Sequence, residues 1–254
     1  MINENKKRYA LLDEFRGFMV FCMIFFHGFY VVYDVFEYEI FNDFINFFMP
    51  AEPFFAGGFI MLSGVMCGFS KSNIKRGAAV TVIAAAVTVV TVIAAPYIGE
   101  IQIYFGILHL LGISMLFCGI FDFALKRIPK WFGLCFNAVL FAVGYFVFDL
   151  QNGGRSPKIA IPGELYENGY FSFLGIAGEN FSSADYFPIF PWIFIFIFGY
   201  YLYKFNIIQN HEKLFLPERV KPLGWLGRHA LAIYIIHQPV CYAASYLIKY
   251  LLKI

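Results

Sequence analysis

Charged residues are scarce in this chain of 254 amino acids: they make up 14% of it, whereas apolar residues make up 60% and aromatic residues 21%. A soluble globular protein carries about 25% charged and roughly 45–50% apolar residues. The deficit of charge is too large for a surface that faces water, and it excludes a soluble domain, a disordered chain and a fibrous protein. The composition therefore predicts an integral membrane protein that lies in a lipid bilayer.

The sequence also lacks the cysteine patterns of metal sites and disulfide frameworks. Its five cysteines are odd in number, widely spaced and embedded in apolar runs, without C-x-x-C or Cys/His spacing. We therefore predict no metal site and interpret the cysteines as small buried hydrophobic residues. The net charge of +2 is close to zero and the basic residues form no single patch, which argues against a nucleic-acid partner.

Long apolar runs dominate the chain instead. A helix that crosses a bilayer needs about 20 mainly apolar residues, and the runs predict an all-α, polytopic transmembrane helix bundle that forms a single domain over residues 1–254. The stretch 36–50 mixes acidic residues with Phe and Ile at helical spacing, so we expect it to lie in the membrane interface. The connection 150–187 is predicted to form a partly ordered outer cap. We predict about seven spans, near residues 14–33, 54–70, 78–95, 101–121, 131–149, 188–204 and 226–248.

Lysine and arginine are distributed unevenly between the two sides of these spans. Fourteen of the nineteen fall in segments 1–12, 71–77, 122–130 and 204–228, whereas the segments of the opposite side hold four. Cytoplasmic loops carry the excess of Lys and Arg. This bias predicts a cytoplasmic N-terminus, and an odd number of spans places the C-terminus outside. We expect a multi-pass protein of the plasma (inner) membrane.

Five ionisable residues interrupt the predicted spans: Asp13, Arg16, His27, His109 and His237. Such residues are costly in lipid and usually face the interior of a bundle. Arg16 and His27 are eleven residues apart and share a helix face about 16 Å apart, which suits a long anionic ligand entering from the cytoplasm. The three histidines fall at similar depth, and imidazole is the natural proton carrier near neutral pH. The simpler alternatives are an interfacial ion pair for Asp13 with Arg16 and hydrogen-bonded core histidines.

The last predicted span contains Gln238 and Pro239 directly after His237. Proline inside a span removes a helical hydrogen bond that neighbouring groups must replace. The segment is either a simple kink or a locally opened helix beside a polar cavity, with Gln238 as an orienting donor. In the second predicted span, Gly64 and Gly68 form a G-x-x-x-G pair, which predicts close packing of helices.

Five stretches of the chain occur in an order typical of one family, at residues 8–27, 54–64, 105–112, 187–199 and 226–239. Together they resemble bacterial members of the heparan-alpha-glucosaminide N-acetyltransferase catalytic-domain family over nearly the whole chain. The most specific parts are L-D-E-F-R-G at 12–17 and I-Y-I-I-H-Q-P at 233–239. Asp13, Arg16 and Gly17 match the family's opening motif, and His237 matches its last-helix motif.

The resemblance implies a membrane acyltransferase. Such an enzyme takes an acetyl group from cytoplasmic acetyl-CoA and delivers it to an amine or hydroxyl, often of a sugar or glycan, on the far side. The lysosomal member carries the expected catalytic histidine in an H-x-x-W-N-G stretch after the first helix. Residues 28–53 contain neither His nor Trp here, so the role would fall to His27, His109 or His237.

The leading hypothesis is therefore acyl transfer across the bilayer. His27 or His237 would act as general base or transient acyl carrier, with His109 and Gln238 orienting it or stabilising the oxyanion. Two alternatives are a transporter or flippase of a glycan or lipid precursor with a histidine proton relay, and a haem-binding electron carrier. A homo-oligomer is left open. The residues assigned to the acyl-CoA site at the inner mouth are Asp13, Arg16, Lys75, Arg76 and Arg228.

Overall fold

The computed structural model describes residues 8–98, 101–148, 162, 169–178 and 181–252. These residues form α-helices joined by irregular connections, without any strand beyond an isolated β-bridge between Phe105 and Tyr186. The predicted all-α fold is confirmed. In chain order the helices are α1 (Ala10–Phe36), α2 (Glu39–Phe48), α3 (Glu52–Gly68), α4 (Asn73–Ile98), α5 (Ile107–Ile120), α6 (Asp122–Arg127), α7 (Lys130–Val147), α8 (Ile189–Tyr203), α9 (Ile207–Asn210), α10 (Glu212–Phe215), α11 (Lys221–Arg228) and α12 (Ala230–Leu252).

The chain divides into two compact units. The first comprises Met1–Phe59 together with Asn206–Ile254, and the second comprises Ile60–Phe205. Helix α3 begins in the first unit and ends in the second. The single domain expected over residues 1–254 stays a prediction.

Six helical stretches of the described residues are long and apolar enough to cross a membrane. The chain is therefore a multi-pass membrane protein, as predicted from its composition. These stretches are Ala10–Phe36, Glu39–Gly68, Asn73–Tyr97, Lys130–Val147, Ile189–Asn210 and Ala230–Leu252.

Two expected boundaries differ in the structure. The span expected at 101–121 contains only the 14 residues of α5, about 21 Å of helix, because residues 101–106 are irregular and hydrogen-bond to neighbouring segments. A helix, α2, is present within the expected segment 36–50, but the 3₁₀ turn Met49–Ala51 joins it to α3, so that Glu39–Gly68 forms one helical stretch. Its position in the membrane interface stays a prediction. Most of the predicted outer cap at 150–187 lies outside the described residues.

In the first unit, α1 packs against α11 and α12. Gly17 allows the backbones of α1 and α11 to approach closely, since a Cβ atom there would lie 1.9 Å from the carbonyl oxygen of Leu223. The buried carboxylate of Glu14 accepts hydrogen bonds from the backbone N–H groups of Arg219 and Val220, directly before α11 begins. One face of α1 is thereby fixed to the start and the body of α11.

In the second unit, α4 packs on α5 and α7 packs on α8. The end of α3 crosses α8 closely, because a Cβ atom on Gly64 would lie 1.9 Å from the carbonyl oxygen of Phe196. This is the close packing that the G-x-x-x-G pair predicts. Helix α4, in contrast, has an exposed apolar face. Its residues Val82, Val89, Val90 and Ile93 are each more than half exposed. A surface of β-branched apolar side chains on a helix of this length is suited to lipid.

Candidate active site

Two of the predicted site residues, His27 of α1 and His237 of α12, meet in the first unit. The Nδ1 atom of His27 lies 2.9 Å from the Nε2 atom of His237, and the rings are nearly parallel, with centroids 5.1 Å apart. His237 is buried, whereas His27 is half-buried. The distance is that of a direct hydrogen bond, so the two imidazoles form a linked pair.

A backbone carbonyl sets the direction of this hydrogen bond. The Nδ1 atom of His237 lies 2.8 Å from the carbonyl oxygen of Tyr234. A carbonyl oxygen only accepts, so Nδ1 of His237 carries a hydrogen and, in the neutral ring, Nε2 of His237 is the acceptor. His27 must then donate from its Nδ1 atom. The Nε2 atom of His27 is left with a lone pair, and it has no hydrogen-bond partner among the described residues.

The same geometry bears on the haem alternative. Each metal–nitrogen bond alone takes about 2 Å. The 2.9 Å between the facing nitrogens of His27 and His237 is therefore too short for an iron ion between them.

Gln238 and Pro239 follow the pair on α12. Helix α12 runs through Pro239 without interruption, although proline supplies no N–H for the carbonyl of Ile235. Gln238 is half-buried, and its amide has no hydrogen-bond partner among the described residues. The locally opened helix is not formed here, while a donor role for Gln238 stays a prediction.

His109 belongs to the second unit, at the start of α5. Its Nδ1 atom accepts a hydrogen bond of 3.2 Å from the backbone N–H of Gly106, and its Nε2 atom lies 3.2 Å from the hydroxyl of Thr88. The Thr88 hydroxyl donates to the carbonyl of Ile103 at 2.7 Å, so it accepts from the imidazole N–H. Both nitrogens of His109 are engaged in local structure. That His109 joins the other two histidines stays a prediction.

The start of α5 also depends on two residues that the sequence analysis did not single out. The carboxylate of Asp185, which is buried, accepts the backbone N–H of Ile107 at 2.9 Å. The hydroxyl of Ser183 accepts the N–H of Tyr104 at 3.2 Å and donates to the carbonyl of Asp185 at 2.7 Å. The only hint in the sequence is a Ser-x-Asp spacing, which is common in turns.

The opening motif at 12–17 forms a charged cluster on α1. Asp13 is buried, and its carboxylate contacts Arg16 at 3.2 Å and Arg8 at 2.6 Å. The Arg16 side chain is 18% exposed and the Arg8 side chain 61%. The predicted Asp13–Arg16 ion pair is therefore present, and it holds the Arg16 guanidinium beside α1.

The other cations assigned to the acyl-CoA site differ in their surroundings. Arg228, at the end of α11 in the first unit, pairs with Glu218 at 2.6 Å. Lys75 and Arg76 lie in the second unit, on the first turn of α4, and both are exposed. The Arg76 guanidinium donates to the carbonyl of Met66 at 3.3 Å. The structure thus brings Asp13 and Arg16 together on one helix, and their joint action with Lys75 and Arg76 stays a prediction.

The comparisons with known proteins agree with the motifs. The family described as heparan-alpha-glucosaminide N-acetyltransferase, catalytic, matches residues 8–239. The matched region begins at Arg8, which contacts Asp13, and ends two residues after His237, so it includes the whole histidine pair. No curated protein and no solved structure matches the chain.

Proposed function

The chain belongs to the heparan-alpha-glucosaminide N-acetyltransferase catalytic family, which makes it a membrane acetyltransferase of that family, and we propose that it transfers an acetyl group from acetyl-CoA to an amine or hydroxyl of a sugar or glycan. The observation that carries the proposal is the hydrogen-bonded pair of His27 and His237. A base with a free lone pair, held in place by a second group that is itself oriented, is the arrangement that acyl transfer requires.

In this proposal His27 is the general base. Its Nε2 atom accepts the proton of the acceptor's N–H or O–H group as the acceptor attacks the thioester carbonyl. The new C–N or C–O bond forms, the C–S bond breaks, and the protonated His27 returns the proton to the departing CoA thiolate. In an alternative order, Nε2 of His27 itself attacks the thioester and carries the acetyl group briefly before the acceptor takes it.

His237 is the positioning residue. It receives the Nδ1 hydrogen of His27 and fixes the ring so that Nε2 faces away from the pair. When His27 becomes protonated, this hydrogen bond becomes charge-assisted and therefore stronger. The carbonyl of Tyr234 completes the chain, because it holds His237 in the tautomer that accepts.

The phosphates of the donor acetyl-CoA would lie near the helix ends whose connecting segments are rich in Lys and Arg. We assign Arg16, eleven residues and about 16 Å before His27 on α1, to their binding, with Arg228, Lys75 and Arg76 as further cations. Asp13 orients the Arg16 guanidinium through their contact. The proposal takes the N-terminus as cytoplasmic and the acceptor as lying on the far side of the plasma (inner) membrane, and the positive-inside distribution of Lys and Arg supports this orientation.

The proposal is tested with the purified protein in lipid vesicles, acetyl-labelled CoA and amino sugars. We expect transfer by the wild type and its loss in His27→Ala. His211→Ala is the matched control, because His211 lies in the same unit with an exposed side chain. If His27→Ala and His237→Ala both transferred acetyl at the rate of His211→Ala, the assignment of the pair would be wrong.

A transporter or flippase is the second candidate, since two hydrogen-bonded imidazoles also form a proton relay. Binding of CoA separates the two functions. A ligand that binds the folded state raises its apparent stability, so the acetyltransferase shows a rise in melting temperature with CoA and the transporter shows none. Arg16→Ala should reduce that rise.

A further inference from the structure

A polar cavity of about 380 Å³ lies in the second unit, apart from any residue assigned to acetyl transfer. It is formed where α3 ends and α4 begins, with Gly119 of α5, the α6 residues Asp122 and Lys126, and the end of α8 completing the wall. Three lysines and one carboxylate line it: Lys71, Lys126, Lys204 and Asp122. The lining therefore carries an excess of positive charge and favours an anionic ligand.

The single carboxylate of the lining does not cancel this excess. Asp122 is already bound by Lys126 at 2.6 Å and by the hydroxyl of Tyr200 at 3.3 Å. Lys204 donates to the carbonyl of Leu125 at 2.7 Å, which uses one of its three N–H groups. Lys71 is exposed and has no ion-pair or hydrogen-bond partner among the described residues. Two cationic heads thus remain with donors available to a ligand.

The wall also holds polar atoms that lack partners. The hydroxyl of Ser70 and the side-chain oxygen of Asn73 are buried without a hydrogen bond among the described residues. A buried polar group without a partner costs free energy, so each one needs an explanation. Both residues line the cavity. The Ser70 hydroxyl can donate to a bound oxyanion, whereas the Asn73 oxygen only accepts and does not bear on an anionic ligand.

The N-terminus of helix α4 adds a further positive electrostatic contribution at the cavity. Its first residues, Asn73 and Ile74, line the cavity, and Ser72 caps the helix by accepting the N–H of Lys75 at 3.3 Å. The N-terminus of a helix carries a partial positive charge and backbone N–H groups that point outward. Lysines, a hydroxyl donor and a helix N-terminus around one cavity are the features of a phosphate site.

We propose that this cavity binds a phosphate monoester. The ligand is either a soluble phosphate ester or the head group of phosphatidic acid, and both present the same dianion to Lys71, Lys204 and Ser70. The inference does not depend on acetyl transfer by His27, because the two sites use different residues.

Two probes with the same phosphate group distinguish the sources: glycerol 3-phosphate and dioctanoyl phosphatidic acid. Their binding is measured on the full chain in a neutral detergent, by titration of the melting temperature and by microscale thermophoresis, with dioctanoylglycerol as the phosphate-free control. We expect at least one phosphate probe to bind and dioctanoylglycerol not to bind. Binding of both probes with similar Kd identifies a soluble ester, and binding of phosphatidic acid alone identifies a lipid head group.

Variants assign the binding to the cavity. Lys71→Ala removes an exposed side chain without structural partners, so we expect a folded protein whose Kd is raised by about tenfold, as for one charge-assisted hydrogen bond. Lys71→Arg restores binding, since it keeps the charge. Lys213→Ala, an exposed lysine of the first unit, leaves the Kd unchanged, and His27→Ala also leaves it unchanged even where transfer is lost.

The proposal is overturned if neither phosphate probe binds the wild type. It is also overturned if dioctanoylglycerol binds as well as phosphatidic acid does, or if Lys71→Ala and Lys213→Ala show the same Kd.

Discussion

Gly227 of α11 approaches Asp13 of α1 so closely that a Cβ atom on the glycine would lie 1.8 Å from the aspartate's carbonyl oxygen. Gly17 makes the reciprocal approach toward Leu223. Two helices whose backbones touch can hold only one register, and α12 follows α11 after a single residue. This contact near the start of α1 therefore sets the register in which His27 and His237 meet further along the helix.

Gly227→Ala is expected to displace α11 from α1. The added methyl group overlaps a backbone atom that cannot rotate away, and overpacking of this kind costs about 1–3 kcal/mol or more. We expect a lower melting temperature together with a lower rate of acetyl transfer. Gly28→Ala on α1 is the matched control, because a Cβ atom there meets nothing within 4 Å. A Gly227→Ala protein as stable and active as Gly28→Ala would contradict the role of this contact.

Replacing each member of the histidine pair should have different kinetic effects. His27→Gln removes the base, so we expect kcat to fall by about 10²–10⁴-fold. His237→Gln leaves an amide oxygen able to accept the Nδ1 hydrogen of His27, so we expect a smaller fall in kcat with an unchanged KM for acetyl-CoA. Steady-state kinetics of both variants in detergent check the order. A larger loss in His237→Gln than in His27→Gln would assign the base to His237 instead.

The pH dependence of transfer should show an acid limb that belongs to His27. A protonated Nε2 atom cannot accept a proton, so kcat/KM falls as the pH is lowered. The measurement requires a hydroxyl acceptor, since an amine acceptor also becomes protonated and adds a limb of its own. We expect the residual activity of His27→Gln to lack this limb. Its persistence in that variant would show that another group is the base.

The sequence was sufficient to predict that His27 and His237 lie at similar depth, because depth follows from counting residues along apolar helices. Depth alone did not specify which of the three imidazole rings are in direct contact. That contact depends on which helices are neighbours, and the neighbour of α1 is selected by Gly17 and Gly227, whose partners are more than 200 residues away in the chain. The opening motif has two structural roles. Asp13 and Arg16 form a charged pair, and Gly17 makes a backbone contact.

Asp185 illustrates what sequence reasoning misses. It lies in a long connection without periodicity, and the N–H group it accepts, that of Ile107, is 78 residues away. The shortening of α5 was missed for the same reason. Residues 101–106 are apolar enough for a helix, but the backbone N–H groups of Ile103 and Tyr104 donate to Thr91 and Ser183 instead. Tertiary contacts of this kind override the local pattern.

His109 is expected to act in stability rather than in transfer. His109→Ala removes the acceptor of the Gly106 N–H and the donor to Thr88, and buried groups left unpaired cost about 1–3 kcal/mol. We expect a lower melting temperature and an unchanged kcat for each folded molecule. Thr88→Val should lower stability in the same direction. If His109→Ala abolished transfer without any loss of stability, His109 would have a role in catalysis.

The number of membrane crossings depends on α5, which has 14 residues. At about 1.5 Å per residue it is shorter than a hydrocarbon core of about 30 Å. Irregular backbone is tolerated at membrane depth where protein satisfies its polar groups, and the segment before α5 meets this condition. The N–H of Ile103 donates to Thr91 at 3.1 Å and that of Tyr104 to Ser183 at 3.2 Å. The irregular segment and α5 together can therefore complete a seventh crossing.

Reporter fusions decide this crossing directly. With a cytoplasmic N-terminus, a fusion after Gln102 lies outside and a fusion after Ile128 lies inside if α5 crosses. We expect alkaline phosphatase to be active at the first position and green fluorescent protein to fluoresce at the second, because each reporter works on one side only. The full-length chain should then carry an active C-terminal phosphatase. The same reporter working at both positions would mean that α5 does not cross, which would leave six spans and return the C-terminus to the side of the N-terminus.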